Sequence, residues 1–174
     1  YLIGLALVVP LGDFVNRRAL VGGLLVVSCA ALAVAAFSPS YAVLMIMVFA
    51  VGISASAAQI VVPWAAAVAA PGERGAIVGT VMSGLLVGIL FSRVFSGLVA
   101  QLGGWRTVLV VAAVVQLAMA AAVWWFAPRT PVNAASTSYP RVLWSILTLI
   151  RSEKVLRHRM LLGGLNLAAF SGMW

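Results

Sequence analysis

Charged residues are scarce in this chain, which is 64% hydrophobic and only 8% charged. A soluble domain carries about 25% charged residues, because its surface has to be hydrated. The apolar residues also lie in runs of about 20, the length that crosses a hydrocarbon core of roughly 30 Å. This composition argues against a soluble globular domain and predicts an all-α polytopic membrane protein, with the lipid bilayer as its solvent.

Cysteine, histidine and acidic residues are also rare. Cys29 is the only cysteine, so it can form neither an internal disulfide nor a multi-cysteine metal site. His158 is the only histidine, and Asp13, Glu73 and Glu153 are the only acids, all between apolar runs. We therefore predict no catalytic constellation, no ATP site and no cofactor. The net charge of +8 is spread between apolar runs and forms no basic face, so nucleic acid is not an expected partner.

Apolar length and chain breakers predict the helices. Four full transmembrane spans are expected at residues 19–37, 41–70, 76–102 and 107–127, with partial helices at 1–12 and from residue 159 onward. Both ends of the chain fall within apolar runs. We therefore expect further transmembrane helices of the same protein to be partners of this chain.

Lys and Arg are divided unequally between alternate loops. The opposite loops carry only Arg106, whereas nine cations share one side: Arg17, Arg18, Arg74, Arg129, Arg141, Arg151, Lys154, Arg157 and Arg159. Because cytoplasmic loops retain Lys and Arg, the side with nine is predicted to be cytoplasmic. The expected location is the plasma membrane, which in a bacterium is the inner membrane.

The segment 128–158 changes character partway along. Its first part, 128–138, is polar and contains proline, which is typical of a flexible linker. In 140–158, apolar residues recur at helical spacing opposite several cations, which predicts a helix on the anionic cytoplasmic membrane surface. A basic amphipathic helix can also be a target for a partner protein.

The turn after the first helix has the sequence PLGDFVNRR (residues 10–18), with one acid followed by two arginines. It resembles the signature between helices two and three of the major facilitator superfamily, Gly-x-Leu-Ala/Gly-Asp-x-x-Gly-Arg-Arg/Lys. Val9 replaces the first glycine of the signature and Asn16 the second, and asparagine tolerates the left-handed conformation expected at that second position. The resemblance implies that Asp13, Arg17 and Arg18 form a cytoplasmic gate. The alternative is that the two arginines only set the topology.

Two further turns extend the resemblance. Glu73 and Arg74 occupy the family's acid–arginine turn between helices four and five, and join the implied gate. Residues 104–106 (GWR) are similar to its turn before helix six. The implied architecture is a partial major facilitator fold with four complete and two partial transmembrane helices, from helix two to the start of helix seven. Residues 1–127 would belong to the N-terminal half, 128–158 to the cytoplasmic linker and 159–174 to the C-terminal half.

Two departures weaken an inference of antiport. Helix four keeps Gly52 of the family's Arg-x-x-x-Gly signature but has Val48 at the arginine. Helix five has Ile89 where the antiporter signature has proline. Small residues at steps of four in helix five predict close packing against another helix. The residues assigned to helix packing are Gly52, Gly84, Gly88, Ser92 and Ser96.

Arg93 is the one charge inside a predicted span. It lies about 26 Å along the helix from Ala76 and about 18 Å from Trp105, too far to reach either membrane surface easily. Burying arginine at that depth costs about 2.5–3.5 kcal/mol, so such a residue usually faces a polar interior or a partner. An arginine does not deprotonate. Arg93 is therefore predicted to bind an anionic solute group or a carboxylate, and not to carry a proton.

A small and polar stripe on helix four includes Ser56 and Gln59 and predicts either a cavity lining or plain helix packing. Gln116 and Asn166 are weaker cavity candidates. The resemblance implies secondary active transport of a small organic solute by alternating access, with efflux as one direction and protons as a candidate coupling ion. The alternatives are a non-transporting membrane receptor and a membrane-embedded enzyme.

Overall fold

The computed structural model describes residues 1–70, 72–128 and 139–173, and all regular secondary structure in these ranges is α-helical. The predicted all-helical class is confirmed. The helices are α1 (Leu2–Leu11), α2 (Arg17–Ala36), α3 (Tyr41–Ser54), α4 (Ala57–Val68), α5 (Arg74–Phe126), α6 (Tyr139–Ser152) and α7 (Lys154–Met173).

Among the described residues, three stretches are long and apolar enough to cross a membrane: Arg17–Ala36, Tyr41–Val68 and Arg74–Phe126. The third has 53 residues. At 1.5 Å per residue it would extend about 80 Å if it were straight, more than twice the thickness of a hydrocarbon core. The predicted number of four complete spans depends on how this long helix is divided and stays a prediction.

The long helix α5 is interrupted at Gly104, which has φ 77° and ψ −179°. An L side chain is disfavoured there, whereas glycine is not. Ser92 and Met119 line one groove together with Val99 and Val108, so the two sides of the break run antiparallel. We call residues 74–103 the first arm of α5 and residues 105–126 its second arm. The sequence predicted a break over 103–106, and the structure confines the non-helical backbone to one residue.

The single span predicted at 41–70 is divided into α3 and α4. The backbone N–H of Ser56 donates to Ile53 O (3.2 Å) and that of Gln59 to Ser56 O (3.0 Å). These bonds span three residues instead of four, so the chain tightens into a 3₁₀-like turn. Pro63, one turn further on, removes the N–H that would bond to the carbonyl of Gln59. The chain is therefore helical on both sides of the turn, but the series of four-residue backbone hydrogen bonds is interrupted at the turn.

The Cα positions divide the chain into two compact units, Tyr1–Ala134 and Ala135–Trp174. In the first unit, α2 packs against α3, α4 and α5, and α1 packs against α3 and α4. The buried cluster consists of Val21, Ala57, Ile60 and Trp64. Val8 and Val9 near the end of α1, and Val123 and Ala127 around the end of α5, pack against it. The core therefore lies close to the α1–α2 turn.

The second unit contains α6 and α7, which contact each other. Pro140 lies in the first turn of α6, where its missing N–H leaves no helical bond unmade. The sequence predicted a surface helix over 140–158, but α6 ends at Ser152 and α7 already begins at Lys154. The N–H of Arg157 donates to Glu153 O (3.2 Å), which draws the basic residues after Glu153 into α7. Residues 129–138, most of the segment predicted to be flexible, lie outside the described residues.

Candidate functional site

The α1–α2 turn is closed by backbone hydrogen bonds and by the cap of α2. The N–H of Gly12 donates to Val9 O (3.0 Å) and that of Val15 to Leu11 O (3.0 Å). Asn16 is the N-cap of α2, and its side-chain oxygen accepts from the N–H of Arg18 (3.0 Å). Asn16 has φ −57°, so the expected left-handed conformation is wrong. Asparagine serves here as a helix cap, one of its preferred positions.

Arg17 holds this turn together with two bonds from one guanidinium. Its Nε donates to Gly12 O (3.1 Å), and its Nη2 donates to Asp13 Oδ1 (3.1 Å). The Arg17 side chain is 27% exposed and that of Asp13 66% exposed. An exposed ion pair contributes only about 0–1 kcal/mol. The pair therefore fixes the conformation of the turn more than it stabilises the whole fold.

Arg18 makes a different contact from its neighbour. Its guanidinium carbon lies 5.7 Å from the ring centroid of Trp124, near the end of the second arm of α5. Gly22 lies one helical turn further along α2, and a Cβ built there would be 3.3 Å from Trp124 Cε3. The small residue lets the indole ring pack on α2 beneath the cation. Arg17 thus bonds within the turn, whereas Arg18 connects α2 with α5.

Glu73 and Arg74, the other two residues assigned to the gate, lie at the start of α5. Glu73 is the N-cap residue but its side chain makes no cap hydrogen bond, and both residues are exposed. In the described part of the chain no salt bridge joins either residue to Asp13 or Arg17. Of the five predicted gate residues, the structure brings Asp13 and Arg17 into direct contact.

The small and polar stripe that was predicted within the span 41–70 lies at the turn between α3 and α4. Ser56 is fully buried, and its hydroxyl donates to Ile53 O (2.7 Å). Gln59 is exposed, and its Nε2 donates to the Tyr1 hydroxyl (3.1 Å). Gly52 is also near the first residue, since a Cβ there would be 3.5 Å from Tyr1 N. The Ser56 hydroxyl is thus bonded within its own turn, whereas the Gln59 amide is bonded to Tyr1, the residue before α1.

Arg93 lies on the first arm of α5 and is exposed. It borders a groove between the two arms, together with Ser96 and with Trp105 beside the break. A neighbouring groove, about 440 Å³ in volume, is lined by Ser92, Ser96 and the half-buried Gln116. Arg93 and Gln116, two predicted cavity residues, therefore border adjacent grooves that share Ser96.

The serines of these grooves are satisfied by their own helix. Ser92 donates to Ile89 O (2.8 Å) and Ser96 to Arg93 O (3.1 Å). Their hydroxyls therefore already donate before any solute binds.

The remaining predicted packing residues, Gly84 and Gly88, have no described atom within 4 Å of a built Cβ. Asn166, the last cavity candidate, belongs to α7, but its side chain lies outside the described residues. No group of three His, Cys, Asp or Glu side chains in the described ranges could hold a metal ion.

Two contact residues were not singled out from the sequence. Trp124 belongs to a Trp–Trp pair at the end of an apolar run, and aromatic residues are enriched where helices leave the membrane. That signal could have indicated an anchor near the cytoplasmic end, but not a cation as its partner. Tyr1 carries no comparable signal, because its bond to Gln59 joins residues 58 positions apart.

Comparison with known proteins gives the family. The chain matches the model of the Major Facilitator Superfamily over residues 1–174. It is 42% identical over 174 residues to the transporter YgaY of Escherichia coli strains K12 and O157:H7, described in both as uncharacterized, covering 100% of this chain and 44% of YgaY. It is 38% identical over 146 residues to "Probable transporter SCO4007" of Streptomyces coelicolor, covering 80% of this chain and 34% of that protein.

The chain spans less than half the length of these curated relatives. No solved structure matches it. All three relatives are named as transporters. Because the family model matches every residue from Tyr1 to Trp174, the chain belongs to the Major Facilitator Superfamily.

Proposed function

We propose that the protein containing this chain is a secondary transporter that moves a small organic solute across a membrane by alternating access. The observation that carries the proposal is the bonded turn between α1 and α2, in which Arg17 joins the Gly12 carbonyl to the Asp13 carboxylate. A charged turn at the ends of two helices can favour one of two helix arrangements if its contacts differ between them. The bacterial relatives favour the inner membrane as its location.

In this proposal the cytoplasmic gate consists of Asp13, Arg17, Arg18, Glu73 and Arg74. Arg17 holds the Asp13 carboxylate at the membrane surface, and 66% of the Asp13 side chain is still exposed. That exposure leaves part of the carboxylate accessible to a helix N-terminus elsewhere in the protein. Such a contact is worth up to about 2 kcal/mol when it is partly buried. If this contact of the Asp13 carboxylate forms in one conformation of the transporter and is absent from the other, it stabilises the first conformation relative to the second.

We assign the solute cavity to the face of α5 that carries Arg93, with Gln116 as its neighbour across the arms. A hydrogen bond to a charged group contributes about 1.5–3 kcal/mol. The guanidinium is therefore suited to bind an anionic group of the solute. Ser56, Gln59 and Asn166 complete the proposed set, although the hydroxyl of Ser56 already donates within its turn.

The proposal is tested by measuring solute flux in vesicles that contain the full-length protein. Arg93→Gln should raise the KM for an anionic solute roughly 10- to 100-fold, the effect of losing one charged hydrogen bond. Asp13→Asn should lower the maximal flux several-fold while solute binding persists. Arg106→Gln is the matched control, because Arg106 contacts the Trp105 ring beside the break in α5 and has no assigned role.

Normal flux in both Arg93→Gln and Asp13→Asn would overturn the residue assignments. Solute binding without any flux in sealed vesicles would indicate the non-transporting receptor instead. Flux that follows an imposed pH gradient would identify protons as the coupling ion. Comparing right-side-out with inside-out vesicles would establish whether the direction is efflux.

A further inference from the structure

The hydroxyl groups of serine and threonine on α6 are all bonded to the backbone of that helix. Ser145 donates to Val142 O (2.7 Å), and Ser152 donates to Leu149 O (3.3 Å). Thr148 reaches two carbonyls, those of Trp144 (3.1 Å) and Ser145 (2.9 Å). The polar side of α6 therefore directs its hydroxyl hydrogens inward, and the arginines are its outward-facing donors.

These arginines belong to a strongly basic stretch of the second unit. Between Tyr139 and Arg159 the only acid is Glu153, whereas the cations are Arg141, Arg151, Lys154, Arg157 and Arg159. All four arginines of this stretch are exposed. On a helix with 100° per residue, Arg141 shares the side of Ser145 and Thr148, and Arg151 lies at its edge. The stretch thus offers several guanidinium groups to an anionic surface.

Large apolar side chains are exposed on the same helix. Trp144 is 66% exposed and Leu149 is 54% exposed. Leu149 follows Val142 by seven residues, so both lie on one side of α6, about a quarter turn from Arg141 and nearly opposite Arg151. An exposed apolar side next to exposed cations is characteristic of helices that lie in the plane of a membrane surface. Tryptophan is enriched at that depth because its ring is apolar and its N–H polar.

We propose that α6, with the first two turns of α7, binds the phosphate-bearing headgroups of anionic phospholipids. Arg141 and Arg151 contact phosphates from α6, and Arg157 and Arg159 extend the contact along α7. Leu149 and Val142 enter the boundary of the acyl chains. The exposed Trp144 and Leu149 beside the exposed arginines favour a membrane surface over an acidic protein, because that combination is typical of helices at the membrane interface. The observations do not depend on the transport activity proposed above.

The test places an environment-sensitive fluorophore on α6 of the full-length protein. In a background in which Cys29, the one cysteine of this chain, and any cysteine elsewhere in the full-length protein are replaced by alanine, Leu149→Cys and Thr148→Cys are labelled separately. The protein is then incorporated into nanodiscs of phosphatidylcholine alone or of phosphatidylcholine with phosphatidylglycerol. With phosphatidylglycerol present, the label at 149 should shift to the blue and become protected from an aqueous quencher. The label at 148, on the side of Arg141, should remain accessible.

Variants of Arg141 and Arg151 test whether their charge causes the protection of the label at 149. Each Lys or Arg near an anionic surface strengthens binding by about fivefold. Arg141→Gln together with Arg151→Gln should therefore lower the ratio of membrane-bound to unbound α6 in the anionic nanodiscs by about 25-fold. Arg141→Lys with Arg151→Lys should retain binding, because a lipid surface requires charge and not the planar geometry of a guanidinium. Arg106→Gln, outside the stretch, should leave the ratio unchanged, and 0.5 M salt should weaken it.

Three results would overturn the proposal. One is equal protection of the label at 149 in neutral and anionic nanodiscs. Another is loss of protection in the lysine variants, which would indicate a site that recognises guanidinium geometry. The third is protection that appears only after a cytosolic fraction is added, which would identify a protein partner in place of the lipid.

Discussion

Two apolar regions of this chain, α2 and the first arm of α5, differ sharply in how they pack. In α2, six of 20 residues are buried, whereas no residue of the first arm of α5 is buried, because the buried residues of α5, Ala113 and Ala120, lie in its second arm. A Cβ built at Gly22 of α2 would be 3.3 Å from Trp124, but one built at Gly84 or Gly88 of α5 meets no described atom within 4 Å. Similar composition therefore accompanies very different surroundings.

The difference shows that apolarity alone does not bring helices together in lipid. Lipid tails are as apolar as leucine, so helix contacts depend on close packing and on polar links. The packed region has both. It has the Arg17 and Arg18 contacts at the turn, and it has glycines that face a neighbour. In the first arm of α5, Gly84 and Gly88 have no described neighbour within 4 Å of a built Cβ. Four predictions test this contrast, from the largest expected effect to the smallest.

Gly4 should tolerate no side chain. A Cβ built there would lie 2.6 Å from the backbone oxygen of Ile53, and backbone atoms cannot move aside as a flexible side chain can. Gly4→Ala should push α1 away from α3 and lower the free energy of unfolding by about 1–3 kcal/mol, as overpacking does. Thermal or SDS-induced unfolding in detergent measures the loss.

The matched control is Gly23→Ala in α2, where a built Cβ meets nothing within 4 Å. It should leave the stability unchanged or raise it by about 0.5–1 kcal/mol, since glycine weakens a helix interior. Equal effects of the two substitutions would mean that the α1–α3 contact is not formed in the protein.

The N-caps of α2 and α5 give the second prediction. Asn16 accepts a hydrogen bond from Arg18 N, whereas the Glu73 side chain makes no cap bond. Asn16→Ala should therefore cost about 0.5–2 kcal/mol of the free energy of unfolding, and Asn16→Ser should restore most of it. Glu73→Ala should cost less than about 0.5 kcal/mol, as a substitution away from such bonds usually does. Equal losses at the two caps would contradict the contrast between the regions.

The third prediction concerns the link between α2 and the second arm of α5. The Arg18–Trp124 contact should contribute about 0.5–1 kcal/mol, which is typical of an exposed cation–π pair. A double-mutant cycle with Arg18→Gln and Trp124→Leu should recover that coupling energy. A parallel cycle with Arg17→Gln and Trp124→Leu should give none, because Arg17 bonds to Gly12 and Asp13. Coupling of both arginines to Trp124 would show that their roles are not divided.

The sequence predicted the helical class and most breaks, because apolar length and breakers are local signals. Gly104 illustrates the success, since the break expected at 103–106 contains it. The α3–α4 turn was missed because the shift to three-residue hydrogen bonds begins at Ser56, before Pro63, the one proline in 41–70, and small residues there do not mark a turn. The boundary at Glu153 was missed for the same reason: amphipathic spacing continues across it.

The candidate site was partly predictable for a related reason. Asp13 and Arg17 are four residues apart around one turn, so their contact follows from local geometry. The partners of Arg18 and Gln59 lie 106 and 58 residues away, at Trp124 and Tyr1, and no single-sequence pattern selects such pairs. The inward bond of the buried Ser56 was likewise hidden, because a serine in a small-residue stripe fits a cavity lining as well as a turn.

The last prediction concerns the exposed glycines of α5. Gly84→Ala and Gly88→Ala should each raise the stability by up to about 1 kcal/mol if the neighbouring space stays open, because alanine is the better helix former. If the small-residue ladder packs against another helix of the full-length protein, the same methyl groups should instead lower transport. The two readouts are unfolding in detergent and flux in vesicles. Higher stability with reduced flux would assign the ladder to a helix contact made during transport, which is our expectation. Higher stability with unchanged flux would assign this face to lipid and remove Gly84 and Gly88 from the packing set.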